Sequence, residues 1–191
     1  MSASLTSTAP TTTRPAPLLR RALVLLLSLL AAWSLLGTAP ASAAGDDYPY
    51  RADTSGSADR WGFTRRQCVS FVAWRMEQRG RALSNATQKW GSALSWDEAA
   101  RRLGYGIGTR PVAGAIAQWN AGERSAYYAP GSATANGTMT AGGYGHVAYV
   151  RGVYSDGSVS VEQYNTGGDR SYGTMRVKAP RYLYVGVHAP A

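Results

Sequence analysis

Gln67-Cys68-Val69-Ser70-Phe71-Val72-Ala73-Trp74-Arg75-Met76-Glu77-Gln78 reads as one short helix, and the fold class follows from what comes after it. Val69, Val72, Ala73 and Met76 recur at i, i+3, i+4 and i+7 and line one face with apolar side chains. Thr64 is the expected N-cap, Gln67 completes a capping box three residues on, and Gly80 is the expected stop. Cys68 then falls in the first turn, where unpaired N–H groups and the positive end of the helix dipole favour a thiolate. Most free cysteines are small buried hydrophobes. Position alone leaves both readings open.

Downstream, Ser95-Trp96-Asp97-Glu98 carries a second capping box, and Gly104 closes that helix. Trp90 and Trp96 read as core or groove-wall aromatics. After Pro111 the helical period gives way to alternation. Residues 112–119 read as a first strand, 145–153 and 159–165 as a hairpin turned at Asp156-Gly157, and 174–177 and 182–187 as two more strands. Residues 120–143, rich in Gly, Ala, Ser and Thr, show neither period and are expected to form a long loop, as a rim, a lid or a disordered stretch. Helices first and antiparallel strands after define an α+β domain, its N-terminal helices packed on an antiparallel β-sheet.

The start of the chain reads as an export signal. Arg14, Arg20 and Arg21 precede an apolar run from Ala22 to Leu36, and Ala41-Ser42-Ala43 has the small residues of a cleavage site. That run is short for a membrane span, which needs about 20 residues. Residues 1–43 are therefore expected to be a secretory signal and 44–191 a single domain, without a stable membrane span once the signal is removed. The formal charge of +9 loses three arginines and no acid with that segment, leaving +6. Such a surplus suits anionic surroundings such as wall polymers, although nothing gathers it into a basic run. A monomer is expected.

An exported protein with one cysteine has no internal disulfide, and an exposed thiol outside the cell risks oxidation. Retaining Cys68 there favours a chemical role. A thiol nucleophile needs a base, and the base needs a group to hold its tautomer. Of two histidines, His188 lies near the C-terminus, while His146 opens a strand directly after Gly142-Gly143-Tyr144-Gly145. Along the return strand Val159, Val161, Gln163 and Asn165 share one face and Glu162 takes the other. The amides of Gln163 and Asn165 are the candidates to orient His146. Only a bulge after Val161 would turn Glu162 inward.

Taken together, Gln67-Cys68-Val69-Ser70-Phe71-Val72-Ala73-Trp74, Trp90-Gly91-Ser92-Ala93 with Trp96, Gly114-Ala115-Ile116-Ala117, Gly143-Tyr144-Gly145-His146-Val147-Ala148-Tyr149-Val150 and Glu162-Gln163-Tyr164-Asn165 resemble the CHAP family, the cysteine, histidine-dependent amidohydrolases/peptidases. The resemblance runs from Tyr48 to Val187. It implies a papain-like fold and cleavage of an amide bond in bacterial peptidoglycan by a secreted, wall-acting enzyme, either an N-acetylmuramoyl-L-alanine amidase or an endopeptidase. It further implies Cys68 as nucleophile and His146 as general base. Where the family commonly has Glu and, two residues on, Asn, this chain has Gln163 and Asn165. A neutral amide stabilises an imidazolium less than a carboxylate does, so a slower enzyme is expected. The rival readings are an impaired wall-binding module and a secreted antibacterial effector.

Other chemistries fit poorly. One Cys and two His without His-x-x-x-His spacing argue against a zinc site, and Asp53 and Asp59 lack the oxygen-rich loop that calcium needs. No phosphate-binding glycine loop precedes a Lys-Ser/Thr pair, and no basic, aromatic face suits nucleic acid. No cofactor is expected.

Overall fold

The computed structural model describes residues 45–190, and the expected export signal at 1–43 lies outside them. Among the described residues three short helices come first: α1 (Cys68–Glu77), α2 (Asn85–Gln88) and α3 (Trp96–Arg102), the last entered through a 3-10 turn at Ala93–Ser95. Eight strands follow: β1 (Gly106–Gly108), β2 (Ile116–Trp119), β3 (Arg124–Tyr128), β4 (Gly137–Thr140), β5 (His146–Val153), β6 (Val159–Tyr164), β7 (Tyr172–Val177) and β8 (Arg181–Tyr184). They form one sheet in the order β1-β8-β2-β5-β6-β7-β3-β4. Every paired neighbour is antiparallel. The architecture is the α+β, papain-like one. No helix among the described residues is long and apolar enough to cross a membrane.

The strands' alternation builds two cores. On one face Ile116, Val147, Tyr149, Tyr164 and Leu183 meet Phe71, Val72 and Met76 of α1. On the other, Ala117, Trp119, Ala148, Val150, Val161, Val177 and Tyr182 bury one another, with no residue of the described helices among them. A sheet whose second face is buried by its own side chains has to curl around them. The long central strands β5 and β6 belong to both cores, which places whatever β5 begins with at the border between helix and sheet.

Helix α1 is buried on all sides from Cys68 to Met76, more than a one-sided apolar face requires. That burial takes in Arg75, whose guanidinium is neutralised across the interface. It donates to Glu162 Oε1 and Oε2 at 2.9 and 2.7 Å and to Asp47 at 2.7 and 3.1 Å. Arg151 Nη1 and Tyr172 Oη also reach Glu162, each at 3.1 Å. Glu162 is thus 1% exposed, facing α1 and engaged as a structural anion. The bulge in this hairpin lies on β5, between Val150 and Gly152, not on β6 after Val161. Glu162 therefore keeps the face that alternation assigns to it.

The helix start differs from expectation. Thr64 is in a bridge with Ala58, and Gln67 is itself the N-cap, extended and without a side-chain cap bond. Gly80, at φ 71°, does close the helix. At Ser95 the capping box is likewise unmade: the residue ends the 3-10 turn, and the Glu98 amide donates to its neighbour Asp97 instead, at 2.9 Å. The first strand covers only Ile116–Trp119 of the expected 112–119, because Gly114 turns at φ 88° just before it.

Residues 120–143 are not a single loop but hold the hairpin of β3 and β4. Its strands give no period because only Tyr128 and Met139 in them are buried. Strand β1 also escapes notice, being Gly-Ile-Gly. Its glycines admit the Tyr184 ring, whose hydroxyl would stand 2.6 Å from a Cβ at Gly108.

Candidate active site

Cys68 is the first residue of α1 and His146 the first of β5. The two side chains, distant in sequence, line one cleft of about 670 Å³. Its walls come from the start of α1, the segment Gly91–Ala93, the glycine-rich approach to β5 and the loop after β6. His188 is exposed and takes no part. The floor residues are largely sealed, with Cys68 8% and His146 4% exposed.

Gln163 holds the imidazole. Its Oε1 lies 2.7 Å from His146 Nε2. An amide oxygen accepts only, so the ring proton sits on Nε2 and Nδ1 keeps its lone pair. Trp119 flanks the ring at 5.9 Å between centroids, across the β2–β5 pairing. Asn165 does something else. It adopts φ 60°, which ends the alternation of β6, and its Nδ2 donates to Gln67 Oε1 at 2.6 Å. Of the two amides expected at the ring, one orients His146 and the other orients the residue before Cys68.

The approach to His146 is clamped. Gly145 has φ 72°, and a Cβ there would stand 2.6 Å from both Leu94 N and Trp119 O. The Leu94 amide donates to Tyr144 O at 2.9 Å, which ties the 93–95 turn to the residues ahead of β5. Beneath that turn the buried Gln118 donates to Ala93 O at 3.0 Å and accepts from Arg181 at 2.8 Å. Neither Gln67 nor Gln118 stands out in sequence as a site residue. Adjacency to Cys68 was the one available signal for Gln67.

Burial governs the ionisation of the pair. It pushes the Cys68 thiol up to about 11, against hydrogen bonds from the backbone N–H groups of Val147, Val69 and Cys68 itself. It pushes His146 down to about 4, against the bond to Gln163. The thiolate expected from the helix dipole is therefore not the resting form: desolvation outweighs the amides at the helix start. At neutral pH the site holds a thiol and a neutral imidazole, which is a base ready to accept a proton.

Asp53 and Asp59 are otherwise engaged. Asp53 accepts from Ser55 and from Arg65 at 2.7 Å. Asp59 accepts the backbone amides of Trp61 and Phe63 at 2.9 Å and the Ser70 hydroxyl. Among the described residues no group of three or more His, Cys, Asp or Glu gathers where a metal ion would sit.

A cysteine at a helix start and a histidine at a strand start, lining one cleft beside a curled antiparallel sheet, define the papain-like class. Within it, the family model for the CHAP domain matches residues 58–165, and the chain belongs to that family. It is 32% identical over 127 residues to staphylococcal secretory antigen SsaA of Staphylococcus epidermidis, covering 64% of this chain and 39% of that protein. It is 36% identical over 105 residues to secretory antigen ssaA2 of Staphylococcus aureus, covering 55% and 30%. The crystal structure of an N-acetylmuramoyl-L-alanine amidase from Staphylococcus aureus superposes with a TM-score of 0.52 at 25% identity, over 72% of this chain and 36% of that one. The chain thus spans well under half the length of each of these relatives.

Proposed function

We propose that this protein is an exported peptidoglycan hydrolase that cuts an amide bond with the Cys68 thiol. The observation that carries the reading is the meeting of Cys68 and His146 in one cleft, with the imidazole held by Gln163 so that Nδ1 is the free base. The amidase that shares the fold, and relatives named as secretory antigens, support the reaction class and the export. Residues 1–43 act as the export signal and 44–191 as one catalytic domain, a monomer at the cell wall.

His146 Nδ1 takes the thiol proton as the sulfur attacks the carbonyl carbon. Starting from a neutral pair, charge develops only in the transition state. The oxyanion lies at the start of α1, where the Cys68 N–H lacks an intrahelical partner. Gln67 supplies the second donor. Asn165 occupies its Oε1 and leaves Nε2 as the donor, on a residue that lines the cleft. The imidazolium then gives its proton to the leaving nitrogen, the amine departs and a thioester remains. Water, deprotonated by His146, attacks the thioester, releases the carboxylic acid and returns the proton to sulfur.

The test is digestion of purified cell walls, followed by turbidity and by newly released amino groups. Wild-type protein clears the walls, and Cys68→Ala does not. Equal clearing by both would sink the mechanism. Binding to walls with no amino groups released under reducing conditions would favour the impaired wall-binding reading, which the neutral third member Gln163 motivates. Mass spectrometry of the fragments identifies the scissile bond, whether the lactyl amide or a peptide link.

A further inference from the structure

The residues lining the cleft include no acidic side chain, and with His146 neutral the one charged side chain among them is Arg170. Several arginines elsewhere in the fold are spoken for. Arg65, Arg75, Arg151, Arg176 and Arg181 each pair with a carboxylate. The Arg170 guanidinium makes no hydrogen bond or ion pair among the described residues. Even its neighbour Asp169 is turned away, both oxygens engaged by Ser171.

Arg170 is nevertheless fixed in place. It adopts φ 55°, and its backbone N–H donates to Asn165 Oδ1 at 2.8 Å. The guanidinium lies over Gly56, where a Cβ would stand 3.4 Å from Nη1. Asn165 in turn holds Gln67, the residue before the nucleophile. Two side-chain amides thus connect the Arg170 backbone to the point of attack. A half-buried, unpaired guanidinium with its fork free is suited to bind a carboxylate.

We infer that Arg170 binds a free carboxylate on the substrate close to the amide being cut, making the protein selective for acidic peptide amides. This rests on the hydrolase reading and adds to it a specificity-determining contact. In the cleft the carboxylate meets no competing anion, and the pairing locates the substrate chain relative to Cys68.

The experiment uses soluble muropeptides released from purified walls, with their carboxylates either free or capped as carboxamides. Wild-type protein is expected to favour the free carboxylates about tenfold in kcat/KM, chiefly through KM, as a charge-assisted hydrogen bond provides. Arg170→Gln removes the preference, Arg170→Lys keeps part of it, and both retain the wild-type melting temperature. Dissociation constants for the same two ligands on the Cys68→Ala variant, with and without Arg170→Gln, give the ratio independently of turnover. No hydrolysis of either ligand by wild-type protein counts against the hydrolase reading, and the binding ratio then decides the role of Arg170. Equal affinity for both ligands, or a preference that survives Arg170→Gln, overturns the inference.

Discussion

His146 Nε2 and Gln163 Oε1 lie 2.7 Å apart across the β5–β6 hairpin, and this contact decides which ring nitrogen carries the proton. Gln163→Ala leaves the tautomer unset and the ring free to turn. Hydrolysis should fall about 100-fold, in the range of a lost acid–base contribution, with little change in KM. Gln163→Glu should do the opposite of harm to orientation. A carboxylate beside the imidazole raises its pKa from the depressed value, so the acid limb of the kcat/KM profile should move to higher pH. An unmoved acid limb in Gln163→Glu would show that His146 is not the titrating base.

The same burial makes a prediction about stability. His146 stays neutral in the folded protein down to about pH 4, whereas in the unfolded chain it titrates near 6.5. Below 6.5 the unfolded state binds the extra proton, so stability is lost as pH falls from 6.5 to 4. The share owed to His146 is on the order of 3 kcal/mol. Cys68, raised to about 11, works at the other end: its contribution is present below pH 9 and is lost as pH rises through 11. Urea unfolding of wild-type and His146→Gln proteins between pH 4 and 7 checks the first claim. The acid slope should be shallower in the variant, and equal slopes would refute it.

Glu162 sits beside Gln163 in sequence yet belongs to a different part of the molecule. It takes two bonds from Arg75 and others from Arg151 and Tyr172, so it joins α1 to the sheet. Glu162→Gln breaks a buried network and leaves the Arg75 charge poorly compensated, with an expected loss of about 3 kcal/mol. Its folded fraction should keep kcat within about threefold of wild type, since nothing in the network touches His146. Denaturation together with active-site titration of the remaining folded protein separates the two effects. A collapse of kcat at full foldedness would reassign Glu162 to the chemistry.

What could be read in advance follows from how local each signal is. The helix around Cys68 and the strands beginning at His146 and Val159 carry strong apolar periods, and Asp156-Gly157 marks the turn between them. Alternation along β6 was enough to bring Gln163 rather than Glu162 to the imidazole face. It failed at Asn165, because a single left-handed residue cancels the period and no composition signal announces it. The β3–β4 hairpin was hidden for a different reason: strands with one buried side chain apiece have little apolar pattern to show. The ionisation of Cys68 was out of reach too. A helix start favours a thiolate, and only the packed environment reveals that desolvation wins.

Gly145 offers the sharpest separation of backbone from side-chain effects, because the histidine it precedes is untouched by the substitution. At φ 72° any Cβ is strained, and here it would also press on Leu94 N and Trp119 O, both backbone atoms that cannot swing aside. Gly145→Ala should cost about 2 kcal/mol or more of stability, and displace His146 from the cleft as the turn opens. Activity should then fall by more than the unfolded fraction explains, since a shift of about 1 Å at a reacting group costs on the order of 100-fold. Gly143→Ala is the matched control. Two residues away, it lines the same cleft with nothing within 4 Å of a new Cβ and no left-handed φ, so its stability should stay within about 0.5 kcal/mol of wild type. Melting curves and kcat for the two variants give the comparison. Equal behaviour of the pair would mean that the clamp against Leu94 does not hold the base in position.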